Sequence, residues 1–352
     1  MRDRYLDASK GVLIVAVVLG HFLEGWAPAG PFTTQPGWNQ QPYQALLTFI
    51  YLFHMPLFIA LAGVTARSGT AFNRAVGMVA LYAPLQVIQI QLYGRELTWD
   101  TFVRPSYALW FILALAVWLL LLPLVDLLPR LTLLASVALA VIAGLSDFDP
   151  STAYTRAIFY FPFFVAGHVY GKRLLERYRG AKVPWRLLAA LVALAVAAVY
   201  SRSDVSPYWP TGQATLLSLD VDDQTMLLGR AATLAAMAVT SVAILAVLPR
   251  SGRVLEALGQ RSLGIYVMHQ FVVLELRPDI PDWTRDQMLA ACFGLTVATV
   301  LVAQLPPFDR FFRDWAKMWG DAATKPFSLL RRATRRRPPA EHPRPPQHAA
   351  QP

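Results

Sequence analysis

The chain of 352 residues is poor in charged side chains. Asp, Glu, Lys and Arg make up 15% of it, whereas a soluble chain carries about 25%. Hydrophobic residues make up 55%, and the mean hydropathy is +0.41. This composition disfavours a soluble globular protein and favours a polytopic membrane protein.

Cysteine is almost absent. Cys292 is the single one, so the chain cannot form an internal disulfide. Neither this residue nor the histidines show the paired spacing of a metal site, and we predict no metal cofactor. The sequence also lacks a phosphate-binding loop and an internal repeat.

Long apolar stretches predict an all-α polytopic membrane protein, a bundle of about ten transmembrane helices. The approximate ranges are 11–26, 43–66, 75–93, 107–122, 131–145, 156–171, 186–200, 228–248, 262–277 and 288–305. Most lysines and arginines fall on one side if the N-terminus is cytoplasmic. We therefore predict that both termini are cytoplasmic and that the net charge of +10 reflects topology, with no nucleic-acid partner.

The sequence divides into two regions of different character. Residues 1–305 form the predicted transmembrane domain. Residues 306–352 begin with an amphipathic pattern, predicted to lie in the cytoplasmic interface, and continue as a basic, proline-rich stretch predicted to be disordered. Anionic membrane lipids are its expected partner. The outer loops 27–42 and 201–227 are rich in aromatic or amide groups, which suit a carbohydrate-facing surface or interfacial anchors.

The first apolar stretch carries Lys10, His21 and Glu24. It has some features of a signal peptide, but these three residues favour an uncleaved span. On a helix, Lys10 and His21 lie within roughly 20° of one face and ~16 Å apart along it. Glu24 can contact His21 one turn away. The pair is either a general base oriented by a carboxylate or a polar contact between helices, and spacing alone leaves both open.

Further polar residues fall in or beside other spans. His54, His168 and His269 each lie in a separate span, which favours a shared polar cavity over isolated interhelical hydrogen bonds. Four cations near predicted cytoplasmic ends are either phosphate-binding groups or topology determinants. They are Arg67, Arg74, Lys172 and Arg173.

Five stretches carry a resemblance to a known family. They are LDASKGVLIVAVVLGHF, FHMPLFIALAGVTAR, ALWFILAL, FYFPFFVAGHVYG and LGQRSLGIYVMHQ. In this order the chain resembles the acyltransferase 3 family of membrane acyltransferases, which includes fucose 4-O-acetylase-like proteins and O-acetylases of bacterial glycans. The resemblance covers residues 6 to about 305, and Lys10 followed eleven residues later by His21 is its most specific part.

The resemblance implies acyl transfer from cytoplasmic acyl-CoA, with acetyl-CoA expected, to a hydroxyl of a carbohydrate or glycosylated acceptor at a bacterial cytoplasmic membrane. It implies that His21 is the catalytic histidine, Lys10 its basic partner, and Arg67 a contact for CoA. To the substrate cavity we assign His54, Trp110 and His269. Two departures are Lys10, where arginine is commoner, and Ala108, where many relatives carry histidine.

Two other functions stay open at this point. Histidines and a glutamate in membrane spans also suit a transporter or a proton-coupled flippase for a glycan or lipid-linked intermediate. A non-catalytic membrane scaffold is the third possibility.

Overall fold

A computed structural model describes residues 3–25, 42–202, 206, 208–276 and 284–335, and the described residues form helices and no strand. The helices are α1 (Arg4–Gly25), α2 (Pro42–Val64), α3 (Ser68–Leu92), α4 (Trp99–Val103), α5 (Trp110–Leu127), α6 (Pro129–Ile142), α7 (Ala153–Arg179), α8 (Val183–Arg202), α9 (Asp223–Val247), α10 (Arg253–Gln260), α11 (Ser262–Glu275), α12 (Arg285–Ala303) and α13 (Pro306–Arg335).

The all-helical prediction is confirmed for the described residues, and each of the ten predicted spans coincides with a helix. Within the described residues, seven helices are long and apolar enough to cross a membrane: α1, α2, α3, α5, α8, α9 and α12. Helices α6 and α11 have only 14 residues each, and polar groups lower the hydropathy of α7. The count of ten and the cytoplasmic location of both termini stay predictions.

Several helix boundaries follow from local chemistry. Pro129 opens α6, where its missing N–H is no loss. The Asp222 side chain accepts the backbone N–H of Thr225 and so caps α9. Thr284 and Gln287 form a reciprocal capping box at the start of α12. These caps keep polar backbone groups paired at the ends of apolar segments.

Helices α2 and α7 form the most extensive pair in the bundle, and glycine permits their close approach. A Cβ atom on Gly63 would lie 2.2 Å from the carbonyl oxygen of Phe164. A Cβ on Gly167 would lie 2.0 Å from the carbonyl oxygen of Ala60. Because neither contact is sterically possible, only glycine fits at this crossing.

Helix α1 lies inside the bundle, in contact with α2, α10, α11 and α12. Its apolar side chains belong to the main buried cluster, and Leu13, Ile14, Val17 and Val18 are fully buried. Polar residues on α1 are therefore enclosed by other helices. This enclosure places His21 in the interior.

The segment after residue 305 is a long amphipathic helix. Trp315 on α13 donates a 2.8 Å hydrogen bond from its indole N–H to the carbonyl of Ala80 on α3, while Phe311 is exposed. The helix extends to Arg335, into the stretch predicted to be disordered. Its place at the membrane interface stays a prediction. The tail beyond residue 335, the outer loop 27–41 and Asp204 lie outside the described residues.

Candidate active site

The side chains of His21 and Glu24, which lie one turn apart on α1, are in contact. The His21 Nδ1 atom lies 3.0 Å from Oε2 of Glu24, and the two side chains are only 13% and 5% exposed. With the carboxylate ionised, Nδ1 carries the proton and donates it, which leaves Nε2 as the basic nitrogen. The predicted contact between these side chains is present.

Helix α2 supplies the second partner of Glu24. The Tyr51 hydroxyl donates to Oε2 of Glu24 at 2.5 Å. One turn further, the His54 ring packs edge-on against Tyr51 at 4.7 Å, and His54 Nδ1 lies 2.8 Å from the Ile50 carbonyl oxygen. Helix α2 continues through Pro56, two residues after His54. The Glu24 carboxylate is thus held from two helices.

Tyr107 covers another side of His21. Its ring lies 4.7 Å from the imidazole, and its hydroxyl lies 3.4 Å from the His21 carbonyl oxygen. Its φ is 47°, in the left-handed region that a tyrosine rarely adopts. Gln86 on α3 fixes the preceding loop by accepting the N–H of Ser106 at 2.8 Å. A strained residue held by its surroundings is common at functional sites.

His269 on α11 contacts the site through a ring stack. Its imidazole lies 5.2 Å from that of His21, with 26° between the planes. The His269 Nδ1 atom faces the Ile265 carbonyl oxygen at 3.2 Å, and Nε2 is buried without a hydrogen-bond partner among the described residues. The side chains of His21, His54 and His269 are therefore close together, as the sequence predicted.

A cavity of about 220 Å³ opens beside His21, and we call it the histidine cavity. It is lined by His21, Glu24, Tyr51, His54, Met55, Pro105, Tyr107, Trp110, Ser151, Thr152, Arg156, Tyr160, Thr211 and Tyr266. The predicted cavity residues His54 and Trp110 are among them. His269, the third predicted cavity residue, is not in the lining and only stacks on His21, which is.

Arg156 is a site residue that sequence reasoning missed. Its guanidinium lies 5.5 Å from the centre of the Trp110 ring, and Trp110 stacks on Tyr160 at 5.3 Å. The predicted topology placed Arg156 among the arginines outside the cytoplasmic clusters. Its position at the edge of a predicted span, 156–171, is the signal that could have identified it, because ionisable residues in spans are functional candidates.

Polar contacts in the loop before α7 hold in place one edge of the histidine cavity, which we call its rim. Asp149 accepts the Ser151 backbone N–H at 2.8 Å and also pairs with Arg104. The Ser151 N–H and hydroxyl, followed by the Arg104 guanidinium, hold the pKa of Asp149 below its usual range. This cluster positions Ser151 at the cavity rim.

The segment 208–219 covers another part of the same rim. Tyr160 donates a 2.8 Å hydrogen bond to the Pro210 carbonyl, which places Thr211 in the cavity lining. Arg230 on α9 is 1% exposed and anchors the segment by donating to the Ala214 carbonyl. Its Nε donates to the Ala140 carbonyl on α6 at 2.6 Å.

A second cavity, of about 180 Å³, lies nearer the N-terminus of α1 and is lined in part by Lys10; we call it the basic cavity. Its lining is Lys10, Phe58, Ala62, Thr65, Arg74, Met78, Phe111, Ile112, Leu115, Ser262, Leu263 and Tyr266. Arg74 donates to the Thr65 carbonyl at 3.1 Å. The structure thus brings together two of the predicted basic residues, Lys10 and Arg74.

The other predicted basic residues lie outside both cavity linings. Arg67 is exposed at the cap of α3, and Lys172 and Arg173 are exposed on α7. His168, which the sequence placed in a shared polar cavity with the other span histidines, lines neither cavity. Its Nε2 lies 2.7 Å from Oδ1 of Asp126, and its Nδ1 lies 3.2 Å from the Gly63 carbonyl oxygen.

Comparison with known proteins decides the family. A family model described as an acyltransferase domain matches residues 3–305. The chain belongs to the acyltransferase 3 family. The predicted family assignment is confirmed, and the fold agrees with a multi-pass membrane acyltransferase.

Curated relatives share shorter stretches with this acyltransferase 3 chain. Nodulation protein NolL of Sinorhizobium fredii (strain NBRC 101917 / NGR234) is 42% identical over 79 residues, 22% of this chain and 20% of that protein. Nodulation protein NolL of Mesorhizobium japonicum (strain LMG 29417 / CECT 9101 / MAFF 303099) is 32% identical over 101 residues, 28% of this chain and 24% of that protein. The matched part spans about a quarter or less of either relative. No solved structure matches the chain.

Proposed function

We propose that this protein transfers an acyl group, acetyl being the expected one, from acyl-CoA to a hydroxyl of a carbohydrate or glycosylated acceptor. The observation that carries the proposal is the hydrogen-bonded series Tyr51–Glu24–His21, in which all three side chains line the histidine cavity. The expected location is a bacterial cytoplasmic membrane.

The chemistry begins at His21. Nε2 removes the proton from the acceptor hydroxyl as the hydroxyl oxygen attacks the thioester carbonyl. The carboxylate of Glu24 orients the ring and stabilises the imidazolium that forms, while Tyr51 holds the carboxylate in place. The C–S bond then breaks, and the imidazolium returns its proton to the departing CoA thiolate.

Arg156 is our candidate for stabilising the charge that develops during this step. The tetrahedral intermediate carries an oxyanion, and a preorganised cation in an enclosed cavity stabilises such a charge strongly. The guanidinium lies over the Trp110 ring in the lining of the histidine cavity. Trp110 also offers an aromatic face of the kind that sugars pack against.

The donor would enter by way of the basic cavity. Lys10 and Arg74 line it, and the exposed Arg67, Lys172 and Arg173 are available for the phosphates of CoA. The thioester end then reaches toward His21, and the acceptor occupies the histidine cavity.

The test is transfer by the purified full-length protein, supplied with acetyl-CoA carrying a labelled acetyl group and a panel of glycan acceptors. We expect His21→Ala to lower transfer by about 10²–10⁴-fold, the usual contribution of a general base. Arg67→Ala and Arg74→Ala should mainly raise the KM for acetyl-CoA.

His168→Ala is the matched control, because His168 is also a span histidine but lines neither cavity. It should retain transfer in protein that remains folded. Equal, mild effects of His21→Ala and Arg67→Ala would contradict the assignment. Vectorial uptake of the acceptor without an acylated product would favour a transporter instead.

A further inference from the structure

Tyr266 is the side chain that the histidine cavity and the basic cavity have in common. It is 3% exposed, and its hydroxyl donates to the carbonyl of Ala108, immediately before α5. A buried tyrosine with a paired hydroxyl is held in one position. The ring is therefore a fixed part of the wall between the two cavities.

Other aromatic rings complete this wall on the side of the basic cavity. Phe111 packs edge-on against Tyr266 at 5.3 Å, and Phe58 packs on Phe111 at 5.9 Å. Phe58 and Phe111 line the basic cavity, whereas Trp110, the neighbour of Phe111, lines the histidine cavity. The start of α5 thus contributes to both sides of the same boundary.

The order of residues on α11 places Tyr266 between a residue that lines the basic cavity and a residue that contacts His21. Ser262 lines the basic cavity, Tyr266 lines both, and His269 stacks on His21. At 1.5 Å per residue, Ser262 and His269 are about 10 Å apart along the helix. The Tyr266 ring is therefore part of the wall shared by the cavity that Lys10 lines and the cavity that His21 lines.

We propose that Tyr266 determines which acyl group is transferred, admitting short, uncharged acyl groups to His21 and rejecting longer or carboxylate-bearing ones; this rests on the function proposed above. A short chain needs only a small displacement at the aromatic wall. A longer chain must displace more of a packed core, which costs energy with each methylene. A carboxylate must lose its water against Phe58, Phe111 and Tyr266.

The experiment compares acetyl-, butyryl-, hexanoyl- and succinyl-CoA as donors to one acceptor, for the wild type, Tyr266→Ala and Tyr266→Phe. We expect the wild-type kcat/KM to fall by about tenfold or more from acetyl to butyryl. Tyr266→Ala should bring these two values within about threefold of each other. Tyr266→Phe keeps the ring and loses only the hydroxyl, so it should keep the wild-type preference.

Equilibrium binding of the same four donors, without acceptor, is measured in parallel on each folded variant. Tyr266→Leu replaces Tyr266→Ala if the smaller side chain does not fold. An unchanged donor preference in both kcat/KM and Kd would overturn the role of Tyr266 while leaving the proposed function intact. If donors bind but none is transferred, the proposed function fails, and the Kd series alone decides whether Tyr266 discriminates by acyl length.

Discussion

Glu24 is the residue on which the proposed chemistry of His21 depends. Its Oε2 atom is shared between His21 Nδ1 and the Tyr51 hydroxyl; the contact with Tyr51 is buried and the contact with His21 is partly buried. A carboxylate in this position selects the tautomer and supports the charge on the ring. We therefore propose that Glu24 positions His21.

Glu24→Gln should lower kcat by about 10²-fold or more, because the neutral amide no longer stabilises the imidazolium. The KM for acetyl-CoA should change little, since Glu24 lines the histidine cavity and not the basic one. Steady-state kinetics with both substrates varied would measure the two effects separately.

Tyr51→Phe is the matched comparison at the same carboxylate. It removes one hydrogen bond from Glu24 and leaves the negative charge, so its effect on kcat should be clearly smaller. A Glu24→Gln protein that keeps wild-type kcat would show that the His21–Glu24 pair is structural.

The contact between His21 and Glu24 was predictable because it lies within one helical turn, where spacing determines proximity. The contributions of Tyr51 and Tyr107 were not, because each comes from a different element, and Arg156 was marked only by its place at the edge of a predicted span. Tyr107 in particular depends on a loop fixed by Gln86, a tertiary hydrogen bond that no local pattern reveals. The sequence thus predicts the part of the site that lies on α1, and tertiary packing determines the rest.

At the level of elements, the crossing of α2 and α7 joins the helix that carries Tyr51 and His54 to the one that carries Arg156. Gly63 and Gly167 set the distance between these helices. The distance between Arg156 and the site residues on α2 therefore depends on two glycines, Gly63 and Gly167, that lie outside the site.

Gly167→Ala should lower the Tm of the purified protein, because the new Cβ would lie 2.0 Å from the Ala60 carbonyl oxygen. Overpacking of this kind costs about 1–3 kcal/mol. Thermal unfolding in detergent, followed by a fluorescent probe or by size-exclusion chromatography, is the measurement.

Gly294→Ala is the control within α12, where an added Cβ meets nothing within 4 Å. It should leave the Tm unchanged or raise it slightly, because alanine favours a helix over glycine. Equal Tm values for Gly167→Ala and the wild type would show that α2 and α7 can separate freely.

The helices themselves were largely predictable, because long apolar runs in this composition form helices wherever backbone groups must pair internally. The runs do not distinguish a full span from a shorter helix such as α6 or α11. Nor do the apolar runs reveal α10, a short amphipathic helix that packs along α1. Packing between elements decides these features.

For the whole molecule, the proposed function requires that the basic cavity faces the cytoplasm. We predict that the exposed cations on α7 and in the turn after it, including Lys172, Arg173 and Lys182, lie on that side and that the exposed Asp220 lies on the other. Charged CoA then meets the cationic end, and the acceptor meets the end with Thr211.

Single cysteines placed at Lys182 and Asp220, in a Cys292→Ala background, should report this orientation. In intact cells an impermeant thiol reagent should label the Asp220→Cys protein and should label Lys182→Cys only after permeabilisation. Cys292 is 2% exposed, so the wild-type chain is the unlabelled control. The reverse labelling pattern would contradict the predicted topology.

Arg230 has a consequence for how the protein is made. Its carbonyl partners, Ala140 and Ala214, both precede it in the chain, and its ring contact, Phe159, does too. When the ribosome delivers α9, all three of these partners have already been synthesised. The arginine can thus leave water for carbonyls that are already in place, and its contact with Ala214 can hold the segment 208–219 before Tyr266, which completes the cavity lining, has been made.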